Sequence, residues 1–202
     1  MIGRCFIFGA LPVQNLPVTP KKNDYIIAAD KGVLSVRSLG LSPDVIIGDF
    51  DSLGFTPEGN VIRLPVIKDK TDVGYAVDYA LDKGFREFHV LGAAEGLLDH
   101  TVANLQICAA VSKKGGVMRL YSKNQVAFCV TNGTASLKGS GRVSVFAFGG
   151  EARGVTLTGL FYPLENANLE SFFPLGVSNS FVDGTANVSV KSGTLLIIHD
   201  IP

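Results

Sequence analysis

The residues best suited to chemistry in this chain are aspartates, and they follow apolar runs. Asp30 ends the run 25–29, and Asp49 and Asp51 follow the run 45–47 inside "VIIGDFDS". Asp69 and Asp72 follow the run near 61–67, and Asp99 lies beyond 87–91, after the loop "GAAEGLL". In a parallel sheet the carboxyl ends of all strands lie along one edge, and ligands bind in a crevice there. Four strand ends would then bring carboxylates to one place. Two carboxylates ~4 Å apart repel by ~4 kcal/mol at an effective dielectric near ~20. A hard cation with oxygen ligands removes that conflict, and Mg²⁺ commonly bridges carboxylates to substrate phosphates. Lys31, Lys68 and Lys70 stand in the same loops, within reach of phosphate oxygens. Asp72 and Asp99 fall at helix starts, where free N–H groups favour anions. The pattern predicts a phosphate-carrying substrate with Mg²⁺, and it weighs against reading Asp49 and Asp51 as a mere turn. Period-two spacing sends Asp49 and Asp51 to one face and turns Phe50 into packing.

The elements that must position these residues follow from periodicity. "RCFIFGA", "DYIIAAD", "PDVIIGD", "VIRLPVI", "REFHVLG" and "VMRLYS" read as six strands. Pro65 marks the fourth as an edge strand or an early end. "KGVLSVRSLG", "TDVGYAVDYALDKG" and "DHTVANLQICAAVSKKGG" carry helical spacing, with Thr71 or Asp72 as a cap and glycine stops at Gly40 and Gly115. Alternating strands and helices predict a doubly wound, mainly parallel sheet. After about Tyr121 helical periodicity ends. "QVAFCVTN", "TASLKG", "RVSVFAFG", "GVTLTGLFYPL", "SNSFVDGTANVSVKSG" and "TLLIIHD" then predict an antiparallel β-sandwich or barrel. The expected division is an α/β domain over 1–122 and a β-sandwich over 123–202.

Composition removes several classes. Eighteen basic residues balance eighteen acidic ones, so no charge excess points to nucleic acid or a membrane surface. No apolar stretch is long enough to span a bilayer. The opening "MIGRCFIFGALP" reads as a first strand rather than a signal peptide. Cys5, Cys108 and Cys129 are widely spaced in apolar surroundings and read as buried free thiols, which suits a cytoplasmic protein. Asp44, Asp78 and Asp82 read as turn or cap residues, and His89 and His199 as structural.

"IIGDFDSL" is similar to the Asp-x-Asp opening of haloacid-dehalogenase-type phosphatases, where the pair serves as nucleophile and general acid. That template wants Thr or Val where Leu53 stands, and it uses the first strand of the chain. A Mg²⁺-dependent phosphatase is therefore the alternative reading. The ordered set "AADKGVLSVRSLGLSPDVIIGDFDS", "KDKTD" and "LGAAEGLLDHTVAN" resembles the thiamine pyrophosphokinase (thiamine diphosphokinase) family. "GVTLTGLFYPLENANL" and "GVSNSF" look like that family's thiamine-binding half.

The resemblance implies a catalytic α/β domain that binds ATP and Mg²⁺, a C-terminal β-sandwich, and a homodimer with thiamine at the subunit interface. The implied reaction moves a diphosphate from ATP to the thiamine hydroxyl and releases AMP. Asp49, Asp51, Asp72 and Asp99 would be the catalytic carboxylates, the first three also holding metal. Asp72 or Asp99 would accept the hydroxyl proton. Asp30, Lys31, Ser52, Lys70, Thr71 and His100 would form the ATP and phosphate set, and Ser178 and Asn179 would line the thiamine pocket. A thiamine- or nucleotide-binding homologue with weak turnover is a third reading. Three departures stand out. Glu95, Gly96 and Leu97 occupy a loop that commonly reads Gly-Gly-Arg in bacterial members, so Arg86 or a lysine would have to replace the Arg contact. Gly74 stands at a commonly acidic position. The chain has no Trp, so Phe172, Phe173 or Phe181 would cover the thiamine ring.

Overall fold

The computed structural model describes residues 3–201. The chain forms two compact units, Met1–Ile107 with Met118–Ser122, and Cys108–Val117 with Lys123–Pro202.

The first unit is built on β1 (Cys5–Phe8), β2 (Tyr25–Ala29), β3 (Val45–Gly48), β4 (Val61–Arg63), β5 (Glu87–Leu91) and β6 (Val117–Tyr121). Their order is β6-β5-β1-β2-β3-β4, and β5 through β4 run parallel. β1 and β3 are buried at every residue, as continuous apolar runs in a two-sided sheet require. Phe6, Phe8, Ile26, Ala28 and Ile46 share one face with Val33 and Val36 of α1 (Gly32–Ser38). Gly32 is a close-approach glycine: a Cβ there would lie 1.9 Å from the Phe8 carbonyl oxygen. The second helix, α2 (Asp72–Asp82), packs on β1, β2 and β3 through a buried stripe of Val73, Ala76, Val77 and Ala80. Thr71 is its N-cap, and its Oγ1 accepts from the Gly74 N–H at 3.1 Å. The third, α3, spans Leu98–Lys113. β4 is the edge strand and stops before Pro65, which has no N–H for a further rung.

The second unit holds two antiparallel sheets. One has the order β12 (Gly176–Ser180), β9 (Arg142–Ala147), β14 (Thr194–Asp200), β7 (Gln125–Thr131). The other has the order β11 (Leu164–Leu169), β10 (Ala152–Thr158), β13 (Thr185–Ser189), β8 (Thr134–Lys138). Inward residues of both sheets, among them Val143, Val145, Ile197, Val155, Leu157 and Val188, form one buried core, which is sandwich packing. Two runs expected as single strands are each divided. "GVTLTGLFYPL" breaks at Gly159, whose φ of 74° turns the chain between β10 and β11. "SNSFVDGTANVSVKSG" breaks at Gly184, φ 72°, and its halves join different sheets.

Cys5, Cys108 and Cys129 are buried free thiols. Burial pushes all three thiols up, Cys129 to about 12. His89 is also structural: it stacks between Phe6 and Tyr121, and burial pushes its imidazole down to about 4. No helix among the described residues is long and apolar enough to cross a membrane.

Candidate active site

The loops at the carboxyl edge of the parallel strands enclose a cavity of about 620 Å³. Ala10 and Leu11 follow β1, Asp30 follows β2, Lys68, Asp69, Lys70, Thr71 and Asp72 link β4 to α2, and Gly92, Ala93, Gly96 and Leu97 follow β5. His100 and Asn104 of α3 complete the wall. β1 has β5 on one side and β2 on the other, so the cavity sits where the strand order reverses. Gly92 has φ 64°, and a Cβ there would meet the Leu11 carbonyl oxygen at 2.4 Å, so a larger residue would wedge the β1 and β5 loops apart.

The electrostatic centre is Lys68. Its ammonium hydrogen-bonds Asp49 Oδ2 and stands 3.0 Å from Asp72 Oδ1. Only the Asp49 contact is aligned as a hydrogen bond, since Asp72 Oδ1 has no hydrogen-bond partner. The two carboxylates respond in opposite directions. The Lys68 hydrogen bond holds Asp49 below its ordinary value, against a smaller effect of burial. Burial holds the Asp72 carboxyl up, against Lys68, and the nearby charges of Asp49 and Asp30 push it further up. Close contacts leave the Asp49 side chain only 10% exposed against 23% for Asp72, yet Asp72 feels the stronger burial effect. The wider shell of protein around the start of α2 sets the dielectric, and it outranks the local cover over Asp49. Burial pulls the Lys68 ammonium down, but its two carboxylate partners outweigh that and leave it raised.

Asp30 has a left-handed backbone, φ 48°. Its Oδ2 accepts from Ser52 Oγ at 2.6 Å, which ties the β2 and β3 loops together, while its buried Oδ1 has no partner. Asn104 is buried as well. Its Nδ2 donates to the Ala93 carbonyl at 2.7 Å and its Oδ1 is unpartnered. Lys68 was expected only as one of three lysines near phosphate oxygens, and Asn104 was not expected at the site. Lys68 was legible as a loop lysine four positions before Asp72, while Asn104 had no local signal beyond lying one helical turn beyond His100.

One local expectation fails, and several expected site residues stand apart from the cavity wall. The pleat does not carry through "GDFDS", because Phe50 is left-handed at φ 62° and buried. The Asp51 N–H donates to Asp49 Oδ1 at 3.3 Å, so Asp49 forms a turn as well as an ion pair. Asp51 is exposed and is not in the cavity wall. Asp99 is also exposed and outside the wall, and its Oδ1 accepts from the neighbouring His100 N–H at 2.8 Å. Lys31 is the N-cap residue of α1, makes no side-chain cap, and does not line the cavity. Arg86 Nη1 donates to the Leu81 and Phe85 carbonyls around the end of α2, and Arg86 does not line the cavity. Lys70 does line the cavity, with its Nζ 2.5 Å from Asp78 Oδ2.

In the second unit Ser178 is exposed with φ 56°. Asn179 is buried, and its amide is engaged within the fold. Its Oδ1 accepts from the N–H groups of Tyr162 and Ser180, and its Nδ2 donates to the Tyr162 carbonyl. These bonds tie β12 to the segment at Tyr162. Phe181 packs on the sandwich core, whereas Phe172 and Phe173 are exposed.

Among the described residues no three His, Cys, Asp or Glu side chains already stand at metal-holding spacing. The donor set still fits a hard cation. It is made of carboxylate oxygens, two of them share an ammonium, and a third, Asp30 Oδ1, is buried with no donor.

A parallel sheet that gathers lysines and carboxylates at its strand ends, followed in the chain by a β-sandwich, defines a phosphate-handling α/β enzyme with a second binding unit. Comparison with known proteins makes the class specific. Residues 19–121 match the family model described as thiamin pyrophosphokinase, catalytic domain. Residues 137–195 match thiamin pyrophosphokinase, vitamin B1 binding domain. The chain is 27% identical over 183 residues to the thiamine pyrophosphokinase of Bacillus subtilis, covering 86% of each. A crystal structure of thiamine pyrophosphokinase from Bacillus subtilis superposes with a TM-score of 0.89 at 25% identity, covering 98% of this chain and 99% of that one. The Candida albicans enzyme shares the fold at 15% identity, TM-score 0.78, over 99% and 89% of the two chains. The chain belongs to the thiamin pyrophosphokinase family, transferases that convert thiamine to thiamine diphosphate. These matches give the phosphatase alternative no support.

Proposed function

We propose that this chain transfers a diphosphate from ATP to the hydroxyl of thiamine, with Mg²⁺, as a homodimer that binds thiamine at the subunit interface. The observation that carries the reading is Lys68, which pairs with Asp49 and Asp72 and lines a cavity together with Asp72, Asp30, Lys70 and Thr71. A cavity of about 620 Å³ has room for a nucleotide. Lys68 and Lys70 neutralise phosphate oxygens, and the start of α2 offers its free N–H groups to them. Asp49, Asp51 and Asp72 would hold Mg²⁺, which when bound neutralises phosphate charge and orients the chain of phosphates.

The thiamine hydroxyl oxygen attacks the β-phosphorus. A new O–P bond forms, the bond to the bridging oxygen of AMP breaks, and AMP departs in line. The hydroxyl proton would pass to Asp99 or to an oxygen of Asp72 not taken by the metal. Catalysis is then chiefly positioning and charge neutralisation. The thiazolium cation is attracted to the surplus carboxylates, and exposed Phe172 or Phe173 offers it a face to stack on. Ser178 reaches the ligand from its exposed position, and Asn179 beside it ties β12 to Tyr162. Three buried free thiols support a cytoplasmic setting.

The test is incubation of the pure protein with ATP, Mg²⁺ and thiamine, followed by resolution of the nucleotides. Thiamine-dependent AMP is the expected product. AMP that does not depend on thiamine, or none at all, overturns the reading.

A further inference from the structure

We infer that Lys68 is a resident counter-cation for Asp49 and Asp72, and that it makes the metal enter together with nucleotide rather than ahead of it. This rests on the proposed ATP and Mg²⁺ site. Lys68 Nζ hydrogen-bonds Asp49 and lies 3.0 Å from Asp72 Oδ1, with only 10% of the lysine side chain exposed. A Mg²⁺ ion needs carboxylate oxygens at about 2.1 Å, so it and the ammonium cannot share these two oxygens. Free Mg²⁺ that takes those oxygens must therefore expel Lys68 from its pair. That leaves an ammonium in a covered wall without a counter-charge, which is strongly unfavourable.

Nucleotide changes the balance. Lys68 lines the cavity, so phosphate oxygens bound there would accept its protons. The carboxylates then pass to the metal as the lysine passes to phosphate, and no charge in the site is left unpaired. Lys70 cannot play this part: its ammonium pairs with Asp78, and its side chain is 55% exposed. Lys68 is thus a positioning residue that couples two binding events.

The experiment titrates Mg²⁺ alone into the chain by calorimetry, without ATP or thiamine. The unaltered protein should bind weakly. Lys68→Met should bind about tenfold tighter, equal to about 1.4 kcal/mol. Lys68→Gln serves as a second neutral variant should Met impair folding, and Lys68→Arg should stay as weak as the parent. Neutral variants that bind Mg²⁺ no tighter overturn the inference. The unaltered protein gives a check without mutation: Mg²⁺ with ATP should raise its melting temperature and Mg²⁺ alone should not. An equal rise from Mg²⁺ alone overturns the inference. The AMP assay reads separately. Thiamine-dependent AMP from the unaltered protein without a metal gain in the variants sinks this inference and leaves the activity standing, whereas a metal gain in the variants with no AMP from the unaltered protein does the reverse.

Discussion

Some polar groups of the two units stand in opposite environments. In the sandwich unit, Asn179 makes three hydrogen bonds, two of which tie β12 to Tyr162. Asp200 accepts from Gln125 Nε2 and the Arg142 N–H at 2.9 Å each, and those bonds hold its carboxyl below the usual range. In the α/β unit, Asp30 Oδ1 and Asn104 Oδ1 are buried without partners, and Asp72 is held above the usual range. An unpaired buried acceptor costs about 1–3 kcal/mol. A fold that tolerates such costs around one cavity has left those groups available for something that binds there. The contrast separates polar groups that shape the fold from polar groups that await a ligand. His89 Nε2 of the α/β unit also lacks a hydrogen bond, but it stands 3.4 Å from Glu87 Oε1 and is wedged in an aromatic stack away from the cavity wall.

Removing a carboxylate of the Lys68 cluster should leave the fold intact and abolish activity. Asp49→Asn is expected to lower thiamine-dependent AMP formation by about 10²–10³-fold, with an unchanged circular dichroism spectrum. Near-parental turnover would place Asp49 among the structural groups. Asn179→Ala should behave in the opposite way, losing about 2 kcal/mol of stability in urea unfolding as the Tyr162 N–H and carbonyl are orphaned. An unchanged urea midpoint would show that this tie does not need its amide. Thr71 stands between the two types, because it both caps α2 and lines the cavity. Thr71→Ala should cost about 1 kcal/mol in stability, and a raised KM for ATP would reveal its second role. A stability loss with no kinetic change would leave it a cap alone.

The smallest effects concern acid. The folded pKa of Asp200 is depressed, so its stabilisation is present above the unfolded value and is lost as pH falls through the folded one. Asp200→Asn should flatten the acid limb of a stability–pH curve below about pH 4. Asp72 has the opposite sign, since a raised folded pKa means that its ionised form opposes folding as pH rises past the unfolded value. Asp72→Asn should therefore keep or raise the melting temperature at pH 7. A clear fall would show that the Lys68 pair matters more to stability than burial of the charge.

Much of this was legible without coordinates. The run "CFIFG" must be buried on both faces, because it offers no polar side, and Val73, Ala76, Val77 and Ala80 can share only a helix. Those periods place Asp30, Asp49 and Asp72 at strand or helix ends. Loop conformation was not legible, because it is set by contacts distant in sequence. Nothing local to "GDFDS" announces a left-handed Phe50, which follows from driving its ring into the core beside Ile46 and Leu91. The chain alone determined the alternation of strands and helices, the change to a β-sandwich and the gathering of acids at one sheet edge. Only the tertiary structure separated Asp49 and Asp72, which share a lysine, from Asp51 and Asp99, which face solvent. The reason is that hydrophobic period is a property of neighbours along the chain, whereas the pairing of a charge depends on which distant loop packs against it.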